Sequence, residues 1–255
     1  MTDIQKLLKI NNNGKVKLFH GSRGGIDGDI APISRARCDF GRGFYMGSHP
    51  MQAKSLVSGD DSPFFYELEL DISKIPDKKI WIPDDEEWIH LVLSHRKNID
   101  FYNELPIAHE TQDKAKEYDL IIGKIADDKM RQAMNSFMDN GMTDAGLLYC
   151  LQYVKYGVQV VAKTAFACKN IRIIKENALK GNELEQAVDY SQELQKQCVG
   201  VVNYAQMEFA DIGKRLSDII KEQRIANQKE FDEIKKSSRR LFGNSKHSPN
   251  RLCTG

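Results

Sequence analysis

The chain has 255 residues, 29% of them charged, with a formal net charge of only +1 at pH 7. That length can bury a core as one domain of about 170 residues plus an appendage, and the even balance of charge removes any global electrostatic argument for a nucleic-acid or membrane partner. The cysteines Cys38, Cys150, Cys168, Cys198 and Cys253 are odd in number and lack metal-ligand or paired spacing, which fits free thiols in a reducing compartment.

The opening Met1-Thr2-Asp3-Ile4-Gln5-Lys6 has no charged region followed by an apolar run, so it does not read as a secretory signal. No stretch approaches the length needed to span a bilayer. The expectation is a soluble, cytoplasmic protein with no membrane partner. Residues 1–15 form a polar lead that ends in the turn signal Asn11-Asn12-Asn13-Gly14. A first strand is expected over Val16–Phe19, ending in the glycine-bearing turn His20-Gly21-Ser22. Residues 23–37 are rich in glycine and arginine without periodicity and read as a loop over a cleft. A second strand lies within Asp39-Phe40-Gly41-Arg42-Gly43-Phe44-Tyr45-Met46-Gly47. Ser48 is expected to cap a helix running to about Ser58, and Phe64–Leu70 alternates as a strand. Between 72 and 118 the pattern is mixed, although Asp84-Asp85-Glu86-Glu87 suits the first turn of a helix carrying Trp88, Leu91 and Val92.

Leu120–Gly123 reads as a buried strand. Asp127 or Asp128 then caps a helix with Met130, Met134 and Phe137 on one face, stopped by Asn140-Gly141. Thr143 begins another, with Leu147, Leu148, Leu151 and Val154 apolar, and strands are expected over Val158–Lys163 and Ile171–Ile174. From Leu184 to about Lys236 apolar residues recur at three- and four-residue steps, among them Ala187, Leu194, Cys198, Val201, Ala205, Phe209, Ile212, Leu216 and Ile219. One long helix is the expectation, and its stripe must cover the front domain, itself as a hairpin, or a partner. Lys235, Lys236, Arg239, Arg240, Lys246 and Arg251 mark a basic tail. The organisation read from the chain is therefore a lead at 1–15, a domain at 16–180, a helical extension at 181–238 and a tail at 239–255. Short strands in a mixed pattern argue for an α+β domain around antiparallel sheets.

A cleft built from the two glycine-flanked segments would offer a ring nitrogen, close-approach backbone and an aromatic face. Such a set suits a ligand with a carboxamide, a sugar hydroxyl and a flat cationic ring. No Gly-Lys-Ser/Thr follows Gly24-Gly25 at phosphate-loop spacing, and no G-x-G-x-x-G follows a strand, so a Rossmann crevice is not supported.

The ordered set His20-Gly21-Ser22, Ser34, Asp39 to Tyr45, Gln52-Ala53, Tyr118-Asp119, Ala126-Asp127-Asp128, Gln159 and Lys163-Thr164 resembles a bacterial family of small ADP-ribosyltransferase-like domains of unknown function. The resemblance covers roughly residues 16 to 176. More broadly, the first two segments look like the nicotinamide-binding half of the His-Tyr-Glu ADP-ribosyltransferases, the branch that includes diphtheria toxin and the poly-ADP-ribose polymerases. The resemblance implies two packed antiparallel sheets with flanking helices, NAD as co-substrate, no metal, and transfer to a protein or nucleic-acid acceptor with release of nicotinamide. It implies that His20 holds a ribose hydroxyl, that the Gly21 backbone binds the carboxamide, and that Tyr45 stacks on the cationic ring. Ser22 and Phe44 complete the expected NAD contacts, while Ser34, Arg35, Arg37 and Arg42 would meet the pyrophosphate, which the planar guanidinium fork suits. Bacterial domains of this type often look like toxins of defence or toxin–antitoxin systems, and the 184–236 helix would then take an antitoxin-like or self-association partner.

Two positions depart from the wider pattern. Leu56 stands near the place of a second ring-stacking aromatic, and Gln159 opens the strand where those enzymes carry their catalytic Glu. Gln can hydrogen-bond a ribose hydroxyl but carries no charge and is no base. Losing a charge aimed at a developing cation costs on the order of a few kcal/mol. Asp127 and Asp128 are the candidates to supply that charge, with helix capping the competing role for each. The alternative readings are a catalytically silent NAD-binding sensor and an interaction module working through its C-terminal helix.

Overall fold

The computed structural model describes residues 3–95, 106–125, 131–153 and 157–222. In chain order these form α1 (Asp3–Leu7), β1 (Lys15–Ser22), β2 (Phe44–Gly47), α2 (Pro50–Ser55), β3 (Phe64–Asp71), β4 (Ile80–Trp81), α3 (Asp85–His95), α4 (Pro106–Lys116), β5 (Leu120–Lys124), α5 (Arg131–Met138), α6 (Asp144–Tyr153), β6 (Val158–Ala162), α7 (Ala165–Lys169), β7 (Ile171–Ala178), α8 (Gly181–Glu208) and α9 (Leu216–Glu222). The class is α+β, as the sequence pattern predicts. No helix among the described residues is long and apolar enough to cross a membrane.

Alternation along the strands builds the core. Val16 and Leu18 of β1 lie opposite Leu70 and Leu68 of β3, and all four are buried. Met46, Tyr66, Ile122 and Val160 extend the same apolar cluster. Burial of each such side chain contributes about 1.5–3 kcal/mol. A second cluster forms where α2 sets Ala53, with Val57 just beyond it, against Phe65 and Leu179, with Phe19 and Leu184 packed at its edge.

The strands follow the order β4-β5-β6-β2-β1-β3-β7 in one seven-stranded sheet. β4 is parallel to β5 and the other neighbours are antiparallel. One mixed sheet thus stands in place of the two antiparallel sheets expected. The reason is local: β1 and β2 pair at Phe19↔Gly47 alone among the described residues, and that register ties a three-stranded half to a four-stranded half.

Several ends fall elsewhere than the sequence suggests. β1 does not stop at Phe19, because Tyr66, Phe65 and Phe64 continue to pair His20, Gly21 and Ser22. α2 starts after His49 with Pro50 in its first turn and no side-chain cap. Ser48, the expected cap, instead accepts a bond from the Val158 N–H at 3.0 Å. Asn140 does end α5, with φ at 57°, and the Gly141 N–H closes on Ser136 O at 2.7 Å. Thr143 caps α6 through the Gly146 N–H at 3.2 Å. The helix α7 was not expected, yet its cap is Thr164, whose hydroxyl accepts from the Ala167 N–H. The single helix expected beyond 184 is shorter: α8 ends at Glu208, and Gly213, at φ +83°, turns the chain into α9.

By contacts the described chain divides into two units. One comprises 3–83, 87–95, 106–125 and 157–193 and holds the whole sheet; the other comprises 84–86, 131–153 and 194–222. The division falls inside α8, away from the expected boundary at 180. In the second unit the apolar stripe of α8 and α9 has partners within the chain. Tyr149 meets Tyr204 and Phe209 at ring distances of 5.6 and 5.1 Å. Thr143 donates to Phe209 O at 3.0 Å, and Asp144 accepts from the Lys214 N–H at 2.8 Å.

Candidate active site

The sheet sets three of the expected residues on three adjacent strands: His20 on β1, Tyr45 on β2 and Gln159 on β6. Past Phe19↔Gly47 the backbones of β1 and β2 no longer pair, and the His20 ring takes over the connection. Its Nδ1 lies 2.7 Å from Tyr45 O, with Phe44 and Tyr66 at ring distances of 4.6 and 6.1 Å. A carbonyl accepts only, so Nδ1 carries the hydrogen in this contact and donates it. Burial lowers the pKa of His20 and the bond to Tyr45 O opposes this in part. The ring is therefore neutral at pH 7, and Nε2 is left as a lone-pair acceptor.

Tyr45 does more than present a ring. Its hydroxyl donates to Gly41 O at 2.7 Å and accepts from the Phe40 N–H at 2.9 Å. It thereby clamps the 39–43 turn, which other groups also grip. The Lys163 ammonium donates to Phe40 O, and Ser34 Oγ accepts from the Gly43 N–H at 3.1 Å. Burial depresses the pKa of Lys163 to about 8. The ring of Phe40 is fully buried, and it occupies the space that a Cβ on Gly123 would take. Gly41 has φ +72° and meets the His95 ring at a distance no side chain would allow.

Gln159 is buried at 6% exposure. Its amide nitrogen donates to Lys124 O at 2.9 Å and to Asp39 Oδ2 at 3.3 Å. Both partners are acceptors, which fixes the orientation of the amide. Tyr45 and Gln159 thus converge on the same turn, whereas His20 meets Tyr45 through its backbone carbonyl and lies with Phe44 and Tyr66.

The remaining expected residues divide. Gly21 is required by packing, since a Cβ there would stand 2.3 Å from Ala53 O on α2. Ser22 donates to Gly25 O at 2.8 Å, and Ser34 serves the turn. Phe44 is buried in the core against His20. Arg35, Arg37 and Arg42 are exposed, so their guanidinium groups face solvent around the turn. Asp127 and Asp128 lie outside the described residues. Leu56 is exposed at the C-cap of α2. Two of the motif segments bond each other: Thr164 donates to Asp119 Oδ1 at 2.6 Å, and the Lys163 N–H to Asp119 O at 2.8 Å. Sequence reasoning gave no role to Asp39 or His95. Asp39 belongs to the Asp39–Tyr45 segment, but its partner Gln159 is 120 positions away.

A family model described as "Protein of unknown function (DUF3990)" matches residues 16–173. The chain belongs to the DUF3990 family. No curated protein and no solved structure matches it. The DUF3990 match begins in β1 and ends within β7, so it reaches every strand of the sheet, covers β2 to β6 in full, and includes both residues of the Asp39–Gln159 contact.

Proposed function

We propose that this DUF3990 protein is a mono-ADP-ribosyltransferase that uses NAD to modify a protein or nucleic-acid acceptor. The observation that carries the reading is the state of His20. Its Nδ1–H is committed to Tyr45 O at 2.7 Å and burial keeps the ring neutral, so Nε2 is an oriented acceptor for a ribose hydroxyl. A protonated ring would offer a donor there and repel a cationic nicotinamide. The aromatic face of Tyr45 and the exposed guanidinium groups of Arg35, Arg37 and Arg42 supply the other contacts that NAD requires. The ADP-ribosyltransferase fold, NAD as co-substrate and the toxin or defence role rest on the resemblance of the His20, Tyr45 and Gln159 segments to that family.

In the reaction the glycosidic bond between the nicotinamide nitrogen and the ribose carbon breaks, and its electron pair leaves with nicotinamide. An acceptor lone pair attacks the same carbon from the opposite face. Positioning and electrostatics do most of the work. The test uses adenine-labelled NAD with cell lysate and total nucleic acid as acceptors, beside His20→Ala. Label on protein or nucleic acid, lost in the variant, is the expected result. No label on either, with no nicotinamide released, contradicts transfer.

A second reading, an NAD-binding sensor without turnover, is favoured by one observation: the amide of Gln159 is tied to Lys124 O and Asp39 and offers no base. It predicts saturable NAD binding with no nicotinamide release.

A further inference from the structure

The site has a carboxylate, and it is not on β6. Gln159 stands between two glycines in its row of the sheet, Gly47 on β2 and Gly123 on β5. Its amide nitrogen is drawn to two oxygens, Lys124 O at 2.9 Å and Asp39 Oδ2 at 3.3 Å. A Glu at this position would aim a carboxylate oxygen at both. The surroundings of residue 159 are therefore built for a donor, which a decayed catalytic Glu would not require. The negative charge stands one hydrogen bond away, on Asp39.

Asp39 is also held still. The residues after it form a turn fixed at each step: the Phe40 N–H and Gly41 O bond the Tyr45 hydroxyl, Phe40 O takes the Lys163 ammonium, and the Gly41 N–H returns to Cys38 O at 2.8 Å. Phe40 anchors the turn with a ring wholly removed from solvent. Asp39 itself is half-buried. A carboxylate whose backbone is pinned and whose oxygen is oriented by a buried amide costs little reorganisation when a positive charge develops beside it.

We propose that Asp39 supplies the carboxylate of the NAD site and that Gln159 is the positioning residue that orients it. This rests on the transferase reading above. As the ribose–nicotinamide bond breaks, the electron pair goes to the pyridinium nitrogen and the ribose carbon becomes electron-poor. Asp39 stabilises that carbon's positive charge. With water as acceptor, the water oxygen bonds to the ribose carbon, its proton passes to Asp39 and then to solvent, and the products are nicotinamide, ADP-ribose and one proton.

The experiment follows nicotinamide release by chromatography, with water as the acceptor, and NAD affinity by calorimetry. It compares the full chain with Asp39→Asn, Gln159→Glu, Asp127→Asn and Asp128→Asn, each checked by thermal melting. Asp39→Asn is expected to bind NAD within about threefold of the parent while releasing nicotinamide about 100-fold or more slowly. Gln159→Glu is expected to be slower as well, because a second carboxylate then faces Asp39. A parent chain that binds no NAD overturns the transferase reading and this proposal together. A parent that cleaves NAD, with Asp39→Asn at full rate or with Asp127→Asn or Asp128→Asn carrying the loss instead, overturns this proposal alone. Should Asp39→Asn melt early, Gln159→Glu decides: a rate above the parent's overturns the assignment, and a rate below it supports it.

Discussion

Tyr45 shows how one side chain can serve two ends. Its ring is the feature that suggested a stacking surface, but its hydroxyl satisfies both an N–H and a C=O of the turn that carries Asp39. Tyr45→Phe keeps the ring and removes both bonds, taking from the Phe40 N–H its 2.9 Å acceptor and leaving Gly41 O with the longer Ser34 Oγ contact at 3.4 Å. The expected cost is about 1–3 kcal/mol in urea unfolding; no change in midpoint would mean the clamp is idle. His90 gives a separate, pH-dependent prediction. Burial pushes its pKa down to about 4 from the usual 6.5. The unfolded chain therefore takes up a proton near pH 6.5 that the folded chain refuses until about pH 4. Stability from this group is complete above pH 6.5 and falls as the pH drops through that window, by about 3 kcal/mol in all. His90→Gln should flatten that part of the profile relative to the parent, and identical slopes would contradict the assignment. At this scale the sequence offers residue types but not the atoms in use. Nothing local to Tyr45 says that its oxygen reaches back to residue 41, and nothing local to Asp39 announces a partner on a strand 120 positions later.

Elements were legible where their signals are local. Phe64–Asp71 and Leu120–Lys124 alternate or run apolar as strands do, and Asn140 and Thr143 mark a helix stop and start by chemistry that needs no distant partner. The errors came where a distant group intervened. β3 prolongs β1 through Ser22, and the Val158 N–H takes the Ser48 hydroxyl away from α2. Gly21 illustrates the same point in packing. The sequence offers it as close-approach backbone for a ligand, but α2 already approaches it, with Ala53 O 2.3 Å from where a Cβ would be. Gly21→Ala is expected to destabilise by about 1–3 kcal/mol through overpacking against backbone that cannot yield. An unchanged unfolding midpoint, whatever happens to NAD binding, would refute this packing role.

At the scale of the whole molecule, periodicity identified the apolar stripe after Leu184 but could not say what it covers. The answer lies partly in α5 and α6, whose buried Met134, Phe137, Leu147 and Leu148 belong to the same unit as residues 194–222. A chain cut after residue 182 would expose those side chains. It is expected to aggregate or melt well below the full chain, and a monomeric fragment with undiminished melting would show that the units are independent. An antitoxin-like or self-association partner on this helix would have to compete with contacts the chain already makes, such as Tyr149 on Tyr204 and Phe209. The central proposal, however, concerns the sheet: His20, Tyr45 and Gln159 stand on adjacent strands, and we propose that NAD binds there. Its most direct measurement is a calorimetric titration of the full chain with NAD, repeated with His20→Ala. The account predicts saturable binding that weakens at least tenfold in the variant, the loss on the order of one hydrogen bond in a desolvated site. Absence of saturable binding, or equal affinity in both chains, would contradict it.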